Sequence, residues 1–242
     1  MTEIKPATYR DERPASSMDR FHAWARTHAP GWTYPIVRVI FTPLVLTLYR
    51  ARSTGRGNVP AQGAFILAPN HFSNMDHFFC GVFVRREIRF MTKSQFFDTR
   101  PRVLGELFRI SGHFPVRRGH ADEEAFATAH AILARGECVG MYAEGGRSRT
   151  GTLGEPRAGI GRLALESGVP VVPVAIRGSL GVRDWRRGRF PRITVVYGVP
   201  LRFPPVRDPT REQSLEAAHA IFDRVRALYG ADAPGSGGSV SP

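Results

Sequence analysis

From Gly57 onward the chain alternates short apolar runs with longer stretches of helical periodicity, and this alternation limits the fold more than any other feature. Apolar runs at residues 64–68, 88–91, 113–116, 138–143, 169–176 and 193–197 read as strands. Between or after them, residues 76–84, 102–110, 123–134, 160–166 and 211–228 carry apolar side chains at helical spacing. Strands separated by helices imply an α/β domain with a largely parallel central sheet flanked by helices. The 242 residues, 42% of them hydrophobic, suffice for one full core, and no internal repeat is present. In such sheets, functional groups gather beyond the carboxyl ends of the strands.

The remaining segments are expected to be appendages of that domain, which spans residues 57–229. Residues 1–20 are polar with charges of both signs and read as a flexible leader without a secretory signal. Residues 21–56 read as amphipathic, membrane-interface helices, the first built on Phe21, Trp24 and Ala25. Residues 32–49 are apolar, aromatic at both ends and followed by Arg50, Arg52 and Arg56. A spanning helix needs about 20 apolar residues, and Arg38 and Pro43 interrupt this stretch, so a monotopic helix is expected, with a helix packed on the domain as the alternative. Residues 230–242 are rich in Gly, Ser, Pro and Ala and read as a disordered tail. Cys80 and Cys138 form no metal or disulfide pattern, which fits a reducing compartment.

Chemistry concentrates just after the strands. Asn70-His71-Phe72-Ser73-Asn74-Met75-Asp76 follows the first run, and Ser73 or Asn74 is suited to cap the next helix. On one helix, five positions amount to about 140° of rotation, so His71 and Asp76 meet only if His71 lies in the turn. There one ring N–H can bond Asp76 while the other nitrogen serves as a base. Asp76-His77 resembles the end of a His-x-His-x-Asp-His metal cluster, but Phe72 and Asn74 stand where its histidines belong, so no metal is assigned.

Tyr142-Ala143-Glu144-Gly145-Gly146-Arg147-Ser148 follows another strand. Paired glycines let backbone N–H groups approach an anion, and Arg147 with Ser148 add a charged fork and a hydroxyl. The spacing differs from that of a nucleotide-binding loop. Gly112 to Gly119 ends a strand in Arg117 and Arg118, and Lys93 follows another; each suits a phosphate or a solvated rim. His113 and His120 show no evident partner and read as structural or exposed.

The net charge of +13 rests on arginine, because lysine occurs only at Lys5 and Lys93. Arginine is the better planar fork for phosphate, so the partners are anionic: nucleic acid, a membrane surface or a phosphorylated small molecule. With no helix-turn-helix, zinc finger or aromatic RNA-binding signature, nucleic acid is not an expected partner.

Together these segments resemble the glycerolipid acyltransferase superfamily, most closely the bacterial lysophosphatidate (1-acylglycerol-3-phosphate) acyltransferases. Asn70-His71 to Asp76 is similar to the family's Asn-His-x4-Asp block, and Gly112 to Arg118 to its Gly-x-Ile-Phe-Ile-Asp-Arg block. Tyr142 to Ser148 resembles Phe-Pro-Glu-Gly-Thr-Arg-Ser, Val171 to Val174 a Val-Pro-rich strand, and Lys93 stands at a lysine common in the family. Arg117 replaces the usual Asp, Pro115 an aromatic, Ala143 the Pro and Gly146 the Thr. The resemblance implies transfer of an acyl group from acyl-CoA or acyl carrier protein to the free hydroxyl of 1-acylglycerol-3-phosphate, making phosphatidic acid, or the same chemistry on another lyso-lipid or glycolipid acceptor, with no further cofactor and no metal. It implies His71 as base with Asp76 orienting it, and substrate binding by Lys93, Arg118, Glu144, Gly145, Gly146, Arg147 and Ser148. The protein would work on an anionic membrane surface, peripheral or monotopic on the cytoplasmic face of the cell membrane.

Overall fold

A computed structural model describes residues 11–98, 103–117, 119, 122–148 and 150–231. The strands are β1 (Arg52–Thr54), β2 (Phe65–Pro69), β3 (Ile88–Lys93), β4 (Phe114–Val116), β5 (Cys138–Gly140), β6 (Val171–Arg177) and β7 (Thr194–Tyr197). They form one seven-stranded sheet in the order β1-β7-β6-β2-β5-β3-β4. Every pairing is parallel except β6 with β7. The α/β fold with a largely parallel sheet is thus as read from the alternation. β1 was not expected: Arg-Ser-Thr is a short, half-exposed edge strand with no apolar run to reveal it.

The helices are α1 (Asp19–Thr27), α2 (Thr33–Thr47), α3 (Asp76–Val82), α4 (Val103–Ile110), α5 (Glu123–Ala134), α6 (Ala158–Ser167) and α7 (Arg211–Gly230). β2 is buried at all five positions, because a central strand covered on both faces carries apolar side chains on both. Its alternation divides the core. Ile66 and Ala68 join the layer under α5, α6 and α7, while Phe65 and Leu67 join the layer with Phe79, Cys80 and Val45 under α3 and α2. α6 and α7 approach closely at Gly161, where a Cβ would fall 1.8 Å from the Ser214 carbonyl oxygen. A capping box between Thr210 and Gln213 starts α7.

Residues 11–20, the described part of the expected leader, are packed rather than loose. Asp11 is buried against Arg13 and Ser94, and Met18 sits with Phe21 and Phe97. The first ten residues and 232–242 of the expected tail lie outside the described residues.

α2 fills most of the expected interface segment. Val45 is buried, yet Trp32, Ile36, Val39, Ile40 and Leu44 are exposed, Trp32 by 73% and Val39 by 71%. Phe41 stacks on Phe78 of α3 at 4.1 Å, and the Tyr34 hydroxyl accepts from the Ile88 N–H at 3.1 Å, fastening α2 to the sheet. No described helix is long and apolar enough to cross a membrane.

Candidate active site

The strand order assembles the site. β6, β2, β5, β3 and β4 run parallel side by side, so the segments after their carboxyl ends share one edge of the sheet. Those segments carry His71, the loop of Glu144 to Ser148, Lys93 and Arg117, although up to 77 residues separate them along the chain. Arg118 and His120 lie outside the described residues.

His71 occupies the turn between β2 and α3. Asn70 holds the start of that turn, its side chain donating to the Ile176 carbonyl at 3.0 Å and accepting the Ile176 N–H at 2.7 Å, as a further strand residue would. His71 Nδ1 lies 2.9 Å from Asp76 Oδ2, and the same oxygen accepts the backbone N–H groups of Phe72 at 2.8 Å and Ser73 at 2.7 Å. Asp76 is fully buried. With Asp76 Oδ2 accepting at Nδ1, the neutral ring carries its N–H there and its basic lone pair on Nε2. The expected cap by Ser73 or Asn74 takes a different form. Met75 precedes α3 with no side-chain cap, and the Ser73 hydroxyl accepts the Met75 N–H at 3.2 Å.

The Tyr142 to Ser148 loop straps the histidine. Glu144 accepts the His71 N–H through Oε1 and the Gly154 N–H through Oε2, both at 2.9 Å, while the Ser148 N–H donates to the His71 carbonyl at 2.9 Å. Burial raises the Glu144 carboxyl above the ordinary range, and its two backbone bonds pull the other way. Both Glu144 oxygens are therefore committed to main chain. Gly145 has φ +65°, and a Cβ there would meet the Arg157 side chain at 2.5 Å. Gly146 continues the turn, and Arg147 is exposed, with no hydrogen bond or ion pair to another described residue.

Tyr142, given no role from sequence, stacks flat on His71 with ring centroids 3.7 Å apart. Arg157 was also unanticipated; its backbone N–H bonds the Ala143 carbonyl at 2.9 Å and its guanidinium reaches the Glu144 carbonyl. Neither carries a spacing signal that links it to the loop. Arg117, expected as a phosphate candidate, donates instead to the Arg13 carbonyl at 2.6 Å, and its own N–H bonds Asp122 at 2.6 Å.

Beside the dyad, residues of α2, α3, α4 and β3 line a partly open cavity of about 310 Å³. Its wall is mostly apolar, with Phe41, Phe78, Val82, Ile88, Leu107 and Phe108, and with His77 and His113 among the polar exceptions. His113 is neither exposed nor partnered as an ordinary structural histidine. It is buried, and neither ring nitrogen makes a hydrogen bond of normal geometry. Burial pushes its pKa down to about 3 and that of His77 to about 4.

A buried His–carboxylate pair beside a Gly-rich loop, at the strand ends of an α/β sheet, has the geometry to draw a proton from a bound hydroxyl. The chain belongs to the acyltransferase family, whose profile matches residues 50–177. Among its relatives is a 1-acyl-sn-glycerol-3-phosphate acyltransferase of Bacillus subtilis, 26% identical over 174 residues, covering 71% of this chain and 84% of that one. A protein of the same description from Limnanthes douglasii is 27% identical over 223 residues, covering 85% of this chain and 74% of its own. The crystal structure of a 1-acyl-sn-glycerophosphate acyltransferase from Thermotoga maritima shares the fold, with TM-score 0.57 at 20% identity over 87% of this chain and 88% of that one.

Proposed function

We propose that this acyltransferase moves a fatty acyl group from acyl-CoA or acyl carrier protein to the free hydroxyl of 1-acylglycerol-3-phosphate, making phosphatidic acid. The observation that carries the reading is the His71–Asp76 pair at 2.9 Å, with His71 held at its N–H by Glu144 and at its carbonyl by Ser148. The names of the Bacillus and Limnanthes relatives support the choice of acceptor.

A hydroxyl is a weak nucleophile at neutral pH, so Nε2 of His71 takes its proton as the oxygen attacks the thioester carbonyl. Asp76 stabilises the imidazolium that forms. The tetrahedral intermediate collapses with formation of the ester C–O bond and cleavage of the C–S bond. The proton on His71 then passes to the leaving thiolate, which balances the reaction without a further reagent. Arg147 and Lys93, with the loop of Gly145, Gly146 and Ser148, receive the acceptor phosphate, and Arg118 is assigned the same role from its place in the sequence. The exposed apolar face of α2 seats the protein on the cytoplasmic face of the cell membrane as a monotopic enzyme, its arginines against anionic lipid.

The test is release of free thiol from palmitoyl-CoA by purified protein, with and without lysophosphatidate, beside a folded His71→Ala variant. Acceptor-dependent release that falls by about 10²–10⁴-fold in the variant supports the reading. Release with a different lyso-lipid but none with lysophosphatidate overturns the acceptor and keeps the mechanism. Equal release by wild type and variant overturns the role of His71.

A further inference from the structure

The cavity beside the dyad has a polar residue that an ordinary acyl chain would leave unsatisfied. His113 is 9% exposed, and both its ring nitrogens lack a hydrogen bond of normal geometry; the Ser111 carbonyl acts on the ring without completing one. Its surroundings are rings: Phe108 at 5.3 Å, His77 at 5.5 Å and Phe90 at 6.1 Å between centroids. Leaving a buried polar group unpaired is costly, and an apolar chain does nothing to relieve it.

Two further observations bear on the ligand. The first is size: about 310 Å³ is roughly twice the ~150 Å³ void that accepts a benzene ring, room for about a dozen carbons of a longer acyl chain whose end leaves through the open side. The second is position. A ladder of near-parallel rings leads from the dyad into the cavity, His71 to Tyr142 at 3.7 Å, Tyr142 to Phe90 at 5.5 Å and Phe90 to His113 at 6.1 Å. His77, which follows Asp76 directly, meets His113 edge to face. His113 is thus linked to the dyad by ring contacts along two routes, through Phe90 and Tyr142 and through His77.

We infer that the cavity takes an acyl chain bearing a hydroxyl near its carboxyl end, and that His113 is the residue that reads the hydroxyl. This deepens the acyl-transfer reading and rests on it. With its pKa pushed down to about 3, the imidazole is neutral at working pH and offers one N–H donor and one lone pair. A hydroxyl can meet both, whereas a carboxylate or phosphate against the ring itself would find a single donor there; Arg38, also in the lining, comes from α2. The hydroxylated chain belongs either to the thioester donor or to the lysophospholipid acceptor.

Two arms separate these sources. In one, kcat/KM is compared for 3-hydroxypalmitoyl-CoA and palmitoyl-CoA with a plain lysophosphatidate; in the other, palmitoyl-CoA is held fixed and the acceptor's chain carries the 3-hydroxyl or lacks it. A preference of about tenfold for the hydroxylated chain is expected in one arm. It should collapse to about one in His113→Phe and survive in part in His113→Gln, which keeps a donor and an acceptor. Should the phenylalanine variant not fold, His113→Leu reads the same loss.

Ratios near one in both wild-type arms, or a preference that persists in the apolar variant, overturn the inference. Displacement of a fluorescent fatty-acyl ester by methyl 3-hydroxypalmitate or methyl palmitate reads the cavity without turnover. A tenfold binding preference with no turnover on any substrate would sink the reaction and keep the cavity. Equal binding with normal turnover would sink the cavity alone.

Discussion

Glu144→Gln tests whether the Tyr142 to Ser148 loop acts on His71 or on the substrate. The carboxylate makes two charge-assisted bonds at 2.9 Å, to the N–H groups of His71 and Gly154, and has no oxygen left over. Glutamine supplies one acceptor oxygen and turns an NH₂ toward a backbone N–H, so one bond is lost and two donors face each other. Losing a hydrogen bond to a charged group costs about 1.5–3 kcal/mol. For a chain of this size each kcal/mol lowers Tm by about 2–4 °C, so a fall of roughly 3–12 °C is expected. His71 then loses its fixed backbone position, and misplacement of about 1 Å costs on the order of 10²-fold in rate. The expected result is a lower Tm by calorimetry together with a fall in kcat of about 10–100-fold and little change in KM for lysophosphatidate. A variant with unchanged Tm and kcat but an acceptor KM raised tenfold or more would show the carboxylate touching the acceptor, and the strap argument would be wrong.

The Val39→Glu, Ile40→Glu double variant removes two exposed apolar side chains from α2 without touching the core. Burying each in lipid is worth at least about 1.5 kcal/mol, so partition onto anionic vesicles should weaken on the order of 10²-fold, and undiminished flotation would exclude α2 as the membrane contact. Stability should also depend on pH through His113. Its folded pKa of about 3 lies below the ordinary value of 6.5, so the unfolded chain binds a proton that the folded chain refuses. That contribution is present above pH 6.5 and is lost as pH falls, by about 2 kcal/mol at pH 5. Urea midpoints from pH 7.5 to 5 should therefore fall more steeply for wild type than for His113→Phe, and parallel slopes would contradict the burial argument.

The segments that carry chemistry announce themselves locally. Asn70 to Asp76 is read from one turn after one apolar run, because its partners are five positions apart and the bond between them needs only that turn. The strand and helix alternation is also local, since apolar periodicity reports which faces are covered whatever covers them. A missed strand and a misread helix start both lack a local signal. β1 lacks an apolar run, and the start of α3 is held by Asp76 reaching back to Phe72 and Ser73 rather than by a preceding cap.

Periodicity says nothing about which strand lies beside which. Only the tertiary structure places β5 between β2 and β3, and that order brings Glu144 to the N–H of a histidine 73 residues away and lays Tyr142 on its ring. His113 shows the limit most plainly. As a residue at a strand start it has no periodicity to separate buried from exposed, and its state is decided by Phe108, Phe90 and His77, which arrive from α4, β3 and α3. The sequence by itself determined most of the elements and the turn that joins His71 to Asp76, because those depend on near neighbours along the chain. The strap on His71 and the unsatisfied histidine in the cavity were decided by packing, because their partners become neighbours only once the sheet has closed its order.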